Sequence, residues 1–180
     1  MSVDVDKAIA EIKAKVDGLP GAENKLTMIV FSGDLDKQLA AMIIATGAAA
    51  MGMKVILFFT FWGTAALRAP QKKVGGKTFM GKMFGMMLPK GRNKLALSKM
   101  HMAGMGTAML KGLMQKKNVA SLDQLFDVAG QLAVKIYICE MSMDLMGFKR
   151  EEMIDYPDIE VCGVATFLAN ARESAVQLFI

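Results

Sequence analysis

Cys139 is the residue of this chain best suited to nucleophilic chemistry. It closes an apolar, β-rich run, Val134-Lys135-Ile136-Tyr137-Ile138-Cys139, and leads directly into Glu140-Met141-Ser142-Met143-Asp144-Leu145-Met146-Gly147, which opens as a helix does. A thiol at the carboxyl end of a strand, just before a helix, lies in the crevice where open α/β sheets hold their ligands, and backbone N–H groups there favour the thiolate. Glu140 and Asp144 stand close in sequence and act in the opposite sense, raising the thiol pKa. Ser32, Gly33 and Asp34 follow one apolar run, and Thr60 and Trp62 follow another. All five converge on Cys139 as candidate ligand-binding residues if three strands end on the same side of one sheet. Gly33 admits a close approach of backbone to ligand, and the helix start after it is suited to an anion. The carboxylate of Asp34 opposes an anion unless it caps that helix, which is the plainer role expected of it.

Other reactive side chains have plainer readings. Cys162 follows a short apolar segment and could resolve a persulfide on Cys139 as a disulfide, but a small buried hydrophobe is the simpler role for it. His101, the single histidine, sits in Ser98-Lys99-Met100-His101-Met102-Ala103-Gly104-Met105. Soft ligands of this kind suit Cu(I), yet methionines at helical spacing are packing material first, and nearby lysines repel a cation. The sequence has no paired Cys-x-x-Cys, His-Glu-x-x-His, Walker lysine loop or complete Gly-x-Gly-x-x-Gly, so no metal, nucleotide or other cofactor is expected.

The elements that must position these residues alternate in type. Leu26-Thr27-Met28-Ile29-Val30-Phe31 reads as a buried strand, 35–51 as a helix and 55–60 as a second strand. A helix opens at Ser121-Leu122-Asp123-Gln124, with Leu122, Leu125, Phe126 and Ala129 on one apolar face, and strand three runs over 135–139. A short helix at 148–153, a strand at 159–161, a helix at 163–171 and a strand at 176–180 complete the chain. This alternation predicts right-handed βαβ crossovers and a mostly parallel sheet covered on both faces, a flavodoxin-like or Rossmann-like three-layer α/β sandwich. Ahead of it, Ile9, Ile12 and Val16 at helical spacing, stopped by Gly18-Leu19-Pro20-Gly21, predict an appended amphipathic helix within 1–23; residues 24–180 then form a single domain.

Between 61 and 118 the rhythm breaks. Gly75, Gly76, Gly81, Gly85, Gly91, Gly104 and Gly106 interrupt short helical pieces, and nine of the 18 methionines fall between Met80 and Met114. This is too long for an ordinary connection and reads as an insertion forming a lid or an assembly surface, so a homo-oligomer is expected. The apolar stretch 39–67 raises a membrane reading, but a buried helix followed by a central parallel strand predicts the same pattern, and membrane association is not expected. Only two cysteines, and no basic n-region followed by an apolar h-region at the start, point to reduced thiols in the cytoplasm. The net charge of the chain is a modest +5, and its basic residues gather along 72–117 with too few aromatics for base stacking, so nucleic acid is not an expected partner.

The segment Ile138-Cys139-x-x-Ser142, followed by Met146-Gly147-Phe148 and Glu151-Glu152, resembles the active-cysteine segment of the DsrE/DsrF/TusD-like sulfur-relay family. The likeness extends to Ser32-Gly33-Asp34-Leu35-Asp36-Lys37, Phe58-Phe59-Thr60-Phe61-Trp62-Gly63, Lys82-Met83-Phe84-Gly85-Met86-Met87 and Gly163-Val164-Ala165-Thr166-Phe167-Leu168, in the manner of the larger, Met-rich DsrE-like branch, from about residue 25 to 180. The resemblance implies a five-stranded α/β fold, homo-oligomeric assembly, sulfur-donor and sulfur-acceptor protein partners, and a Cys139 able to carry a persulfide. It adds Ser142 to the expected ligand-binding residues. The function it implies is that of a sulfur carrier or sulfurtransferase; the alternative is a non-catalytic binding or assembly member, since the family includes members without a working cysteine.

Overall fold

The computed structural model describes residues 7–11, 21–72 and 74–180. Of the appended helix, 7–11 are helical, and the rest of that prediction lies outside the described residues. The core is a five-stranded, all-parallel sheet built from β1 (Glu23–Val30), β2 (Lys54–Phe59), β3 (Lys135–Cys139), β4 (Ile159–Cys162) and β5 (Ser174–Phe179), in the order β4-β3-β2-β1-β5. The strands β1, β2 and β3 are nearly continuous apolar runs because both of their faces are covered. Register places Val30 beside Phe59, Phe59 beside Ile138, and Cys139 beside Cys162.

The helices are α1 (Leu35–Ala50), α2 (Phe79–Met87), α3 (Met105–Lys116), α4 (Leu122–Gln131), α5 (Glu140–Met146) and α6 (Val164–Arg172). From β1 through β4 the chain steps in one direction across the sheet, so right-handed crossovers put α1, α4 and α5 on one face. Here lies the main core: Met28, Val30, Leu57, Phe59, Ile136 and Ile138 of the sheet meet Met42 and Ala45 of α1, Phe126 and Ala129 of α4, and Met143 and Met146 of α5. The return from β4 to β5 runs the other way and carries α6 to the opposite face. There a smaller cluster joins Ile56, Phe58, Tyr137 and Cys139 to Phe167 and Ala171 of α6, with the Phe58 and Phe167 rings stacked 4.9 Å apart.

Helix α4 starts where the sequence places it: Ser121 and Gln124 form a reciprocal capping box. The insertion consists of short helical pieces: a 3-10 segment at Phe61–Leu67, α2, 3-10 turns at Arg92–Lys94 and Met102–Gly104, and α3. It is anchored beneath by a buried charge cluster. Arg68 Nε lies 3.4 Å from Glu152 Oε2, Lys77 bonds the other Glu152 oxygen, and the Arg68 guanidinium stacks 4.7 Å from the Phe148 ring centre. Phe79, Met80, Met86 and Met87 of α2 and Met105 and Met109 of α3 remain exposed.

Candidate functional site

All strands are parallel, so the residues after β1, β2 and β3 emerge at one edge of the sheet. Backbone bonds join the edge: Thr60 N–H donates to the Val30 carbonyl at 3.1 Å, Gly63 N–H to that of Phe31 at 2.8 Å, and Phe31 N–H to that of Ile180 at 2.7 Å. The approach is tight enough to require glycine. A Cβ at Gly63 would stand 2.2 Å from the Val30 carbonyl oxygen, and one at Gly33 would stand 2.8 Å from that of Trp62. The turn after β2 is therefore pressed onto the turn after β1, with Trp62 half-exposed at its surface.

Each predicted residue has a definite place. Ser142, fully buried on α5, lies 2.9 Å from the Thr60 hydroxyl and accepts a 2.9 Å bond from the Phe61 amide. These bonds tie the helix after Cys139 to the end of β2 and hold Phe61 at φ +43°, in the left-handed region. Asp34 occupies the N-cap position of α1, but its carboxylate makes no cap bond. It accepts instead from the Ser32 hydroxyl at 2.9 Å and pairs with Lys37 at 3.4 Å. The Asp34 amide donates to the Ser32 hydroxyl at 3.1 Å, and the Leu35 amide to the carbonyl of Ala96 at 2.7 Å. Ser98 bonds the Asp36 carboxylate through both its amide and its hydroxyl, at 2.9 and 2.6 Å. The insertion thus closes over the start of α1. His101 stands outside this constellation, its Nδ1 3.3 Å from the Thr107 hydroxyl.

Cys139 is the last residue of β3 and the N-cap of α5, only 4% exposed. Side chains alternate along a strand, and its sulfur belongs to the smaller cluster beneath α6, with Phe58, Tyr137 and Phe167. Cys162, its register neighbour on β4, is partly buried against the same cluster. Burial, then the neighbouring Cys139, Glu160 and Glu140, push the Cys162 thiol up to about 11 from an ordinary 9.0. The sequence offers Cys162 as a resolving thiol with packing as its simpler role; what it does not show is the register that sets the two thiols side by side. Both cysteines close an apolar segment just before a helix, and that shared position is the signal that would have exposed it once β3 and β4 were known to be neighbours.

Comparison with known proteins bears on what such a site is for. Residues 22–179 match the model of the DsrE/DsrF/DrsH-like family. The chain belongs to that family. A DsrE-like relative, the sulfur carrier protein DsrE2 of Allochromatium vinosum, is 37% identical over 163 residues, spanning 88% of this chain and 99% of that protein. The uncharacterized protein YrkE of Bacillus subtilis is 49% identical over 156 residues, 87% of this chain and 96% of its own. The crystal structure of the ychN protein from E. coli superposes with a TM-score of 0.50 at 10% identity, covering 87% of this chain and 98% of that one, a likeness of fold. The resemblance to the DsrE-like sulfur-relay family and the three-layer α/β architecture read from the alternation of strands and helices are both borne out.

Proposed function

We propose that this protein is a sulfur carrier or sulfurtransferase that holds sulfane sulfur as a persulfide on Cys139 and passes it to a partner protein in cytoplasmic sulfur metabolism. The position of Cys139 carries this reading: a thiol at the last residue of an interior parallel strand, at the sheet edge where the neighbouring β2 also ends, in a chain 37% identical to a sulfur carrier protein. In loading, the Cys139 thiolate attacks the outer sulfur of a donor persulfide, R–S–SH; a new S–S bond forms, the donor S–S bond breaks, and the donor leaves as thiolate. In unloading, an acceptor thiolate attacks that outer sulfur and the bonding pair returns to the Cys139 sulfur. Both steps balance without an external oxidant or reductant. A thiol only 4% exposed suits a donor that presents a slim terminal sulfur.

Ser142 and Thr60 hold the α5 start against the β2 turn, while Ser32, Gly33, Asp34 and Trp62 form the rim that an incoming donor or acceptor meets. The Met-rich faces of α2 and α3 supply the surface for self-assembly, since their apolar side chains find no cover within the described chain. None of the described helices is long and apolar enough to cross a membrane.

Peptide mass spectrometry after exposure to polysulfide or thiosulfate tests the assignment. One added sulfur on the Cys139 peptide is expected, and the Cys139→Ser protein, with an unchanged circular dichroism spectrum, takes up none there. Loading confined to Cys162, or unimpaired loading of Cys139→Ser, would move the site elsewhere.

A further inference from the structure

Cys139 and Cys162 are register partners on adjacent parallel strands and face the same side of the sheet. Neighbouring strands stand about 4.8 Å apart, within the roughly 4.4–6.8 Å that Cα atoms of a disulfide span. Each cysteine is also the last residue of its strand, where the ladder ends and the backbone has most freedom to adjust. Beside Cys162 the molecule is open: a Cβ at Gly163 would meet nothing within 4 Å. A pair of hydrophobes placed only for packing needs neither this register nor this edge.

We propose that Cys139 and Cys162 form one dithiol site, in which Cys162 discharges a persulfide on Cys139 by closing an intramolecular disulfide and releasing sulfide. The proposal rests on the carrier reading of Cys139. The step balances without an external oxidant: the Cys162 thiolate attacks the inner sulfur of Cys139–S–SH, the Cys139–Cys162 S–S bond forms, and the bond to the outer sulfur breaks. The outer sulfur leaves with the electron pair as HS⁻. The sulfane sulfur is reduced, and the two cysteine sulfurs become the disulfide. A thiol reductant then restores both thiols.

The surroundings set the pace of this step. Burial above all, then Cys139 on β3, Glu160 on β4 and Glu140 on α5, disfavour a Cys162 thiolate, and Lys135 on β3 opposes them without prevailing. At neutral pH Cys162 is therefore mostly protonated and discharge is slow. Discharge depends on the Cys162 thiolate fraction, which rises about tenfold per pH unit below its pKa, so the rate gains roughly a hundredfold between pH 7 and 9.

The test begins with wild type and Cys162→Ala loaded with polysulfide and freed of excess reagent. Released sulfide is followed from pH 7 to 9, and non-reduced tryptic digests are read by mass spectrometry. Lys149 and Arg150 separate the two cysteines, so the disulfide appears as a linked pair of peptides. Wild type is expected to release sulfide in step with the linked pair, with the steep pH dependence above, while each loaded Cys162→Ala chain retains its persulfide. In a second arm, diamide acts on unloaded wild type, where the same linked pair is expected. Equal sulfide loss from both loaded proteins, or two free thiols after diamide, overturns the pairing and leaves the carrier reading intact. Absence of sulfur on Cys139 in either protein overturns the carrier reading and the discharge step with it.

Discussion

Replacing Ser142 with alanine removes one hydroxyl that serves two partners. The Ser142 Oγ lies 2.9 Å from Thr60 Oγ1 and accepts from the Phe61 amide at the same distance, with Ser142 itself wholly buried. Each lost bond costs about 1 kcal/mol net, and a buried group left without a partner adds about 1–3 kcal/mol. The Thr60 hydroxyl is that group, whereas half-exposed Phe61 regains water and sheds part of the constraint that holds it at φ +43°. The expected destabilisation is about 2–3 kcal/mol. With a urea m-value of about 2 kcal/mol/M for a domain of this size, the unfolding midpoint falls by about 1–1.5 M without change in slope. Thr60→Val combined with Ser142→Ala removes both hydroxyls and should cost less than the sum of the two single changes, by about 1 kcal/mol. A midpoint within error of wild type, or strict additivity in the double variant, would refute the claim that this bond clamps α5 to the β2 turn.

Gly63→Ala forces a methyl against a backbone oxygen 2.2 Å away, a neighbour that cannot turn aside; a loss of about 3 kcal/mol is expected, read as a fall in Tm of several degrees, and an unchanged Tm would mean the two turns are not pressed together. Burial pushes the Glu152 carboxyl up, but the Lys77 bond, the Lys149 amide and the charges of Lys77 and Arg68 outweigh it and hold the group below its ordinary 4.5. A depressed carboxyl stabilises the fold above its unfolded pKa and loses that contribution as pH falls through its folded value, so Glu152→Gln should be the less stable protein at neutral pH and the gap should narrow below pH 4.5 in urea titrations. A gap that widens in acid would reverse the sign of the argument. Multi-angle light scattering at micromolar concentration should find more than one chain per particle, with Phe79→Ser plus Met86→Ser shifting the particle toward monomer; a monodisperse wild-type monomer would refute assembly through this surface.

The sheet was readable because buried parallel strands announce themselves as short apolar runs, and β3 falls on the expected residues, 135–139. Ser121 and Gln124 announced the start of α4 for an equally local reason, a cap being a property of four adjacent residues. What stayed hidden depends on partners distant in sequence. Nothing near Leu35 foretells that its amide meets Ala96. Arg68 and Glu152 are 84 positions apart, and only the fold buries them together. Asp34 was expected to cap α1, yet the Ser32 hydroxyl and Lys37 claim its carboxylate. The neighbourhood of Cys139 and Cys162 follows from strand order, and a single sequence carries no direct mark of which strands adjoin.

The reversal of direction between β4 and β5 has a dynamic consequence. It leaves one helix, α6, as the described cover of the thiol-bearing face, held by Phe167 and Ala171, while three helices bury the other face. Local stability follows the density of buried contacts, so the amides of α6 should exchange with solvent well before those of α1 or α4. The cysteines therefore sit under the part of the molecule that opens most cheaply, and access to them need not disturb the core that keeps the chain folded.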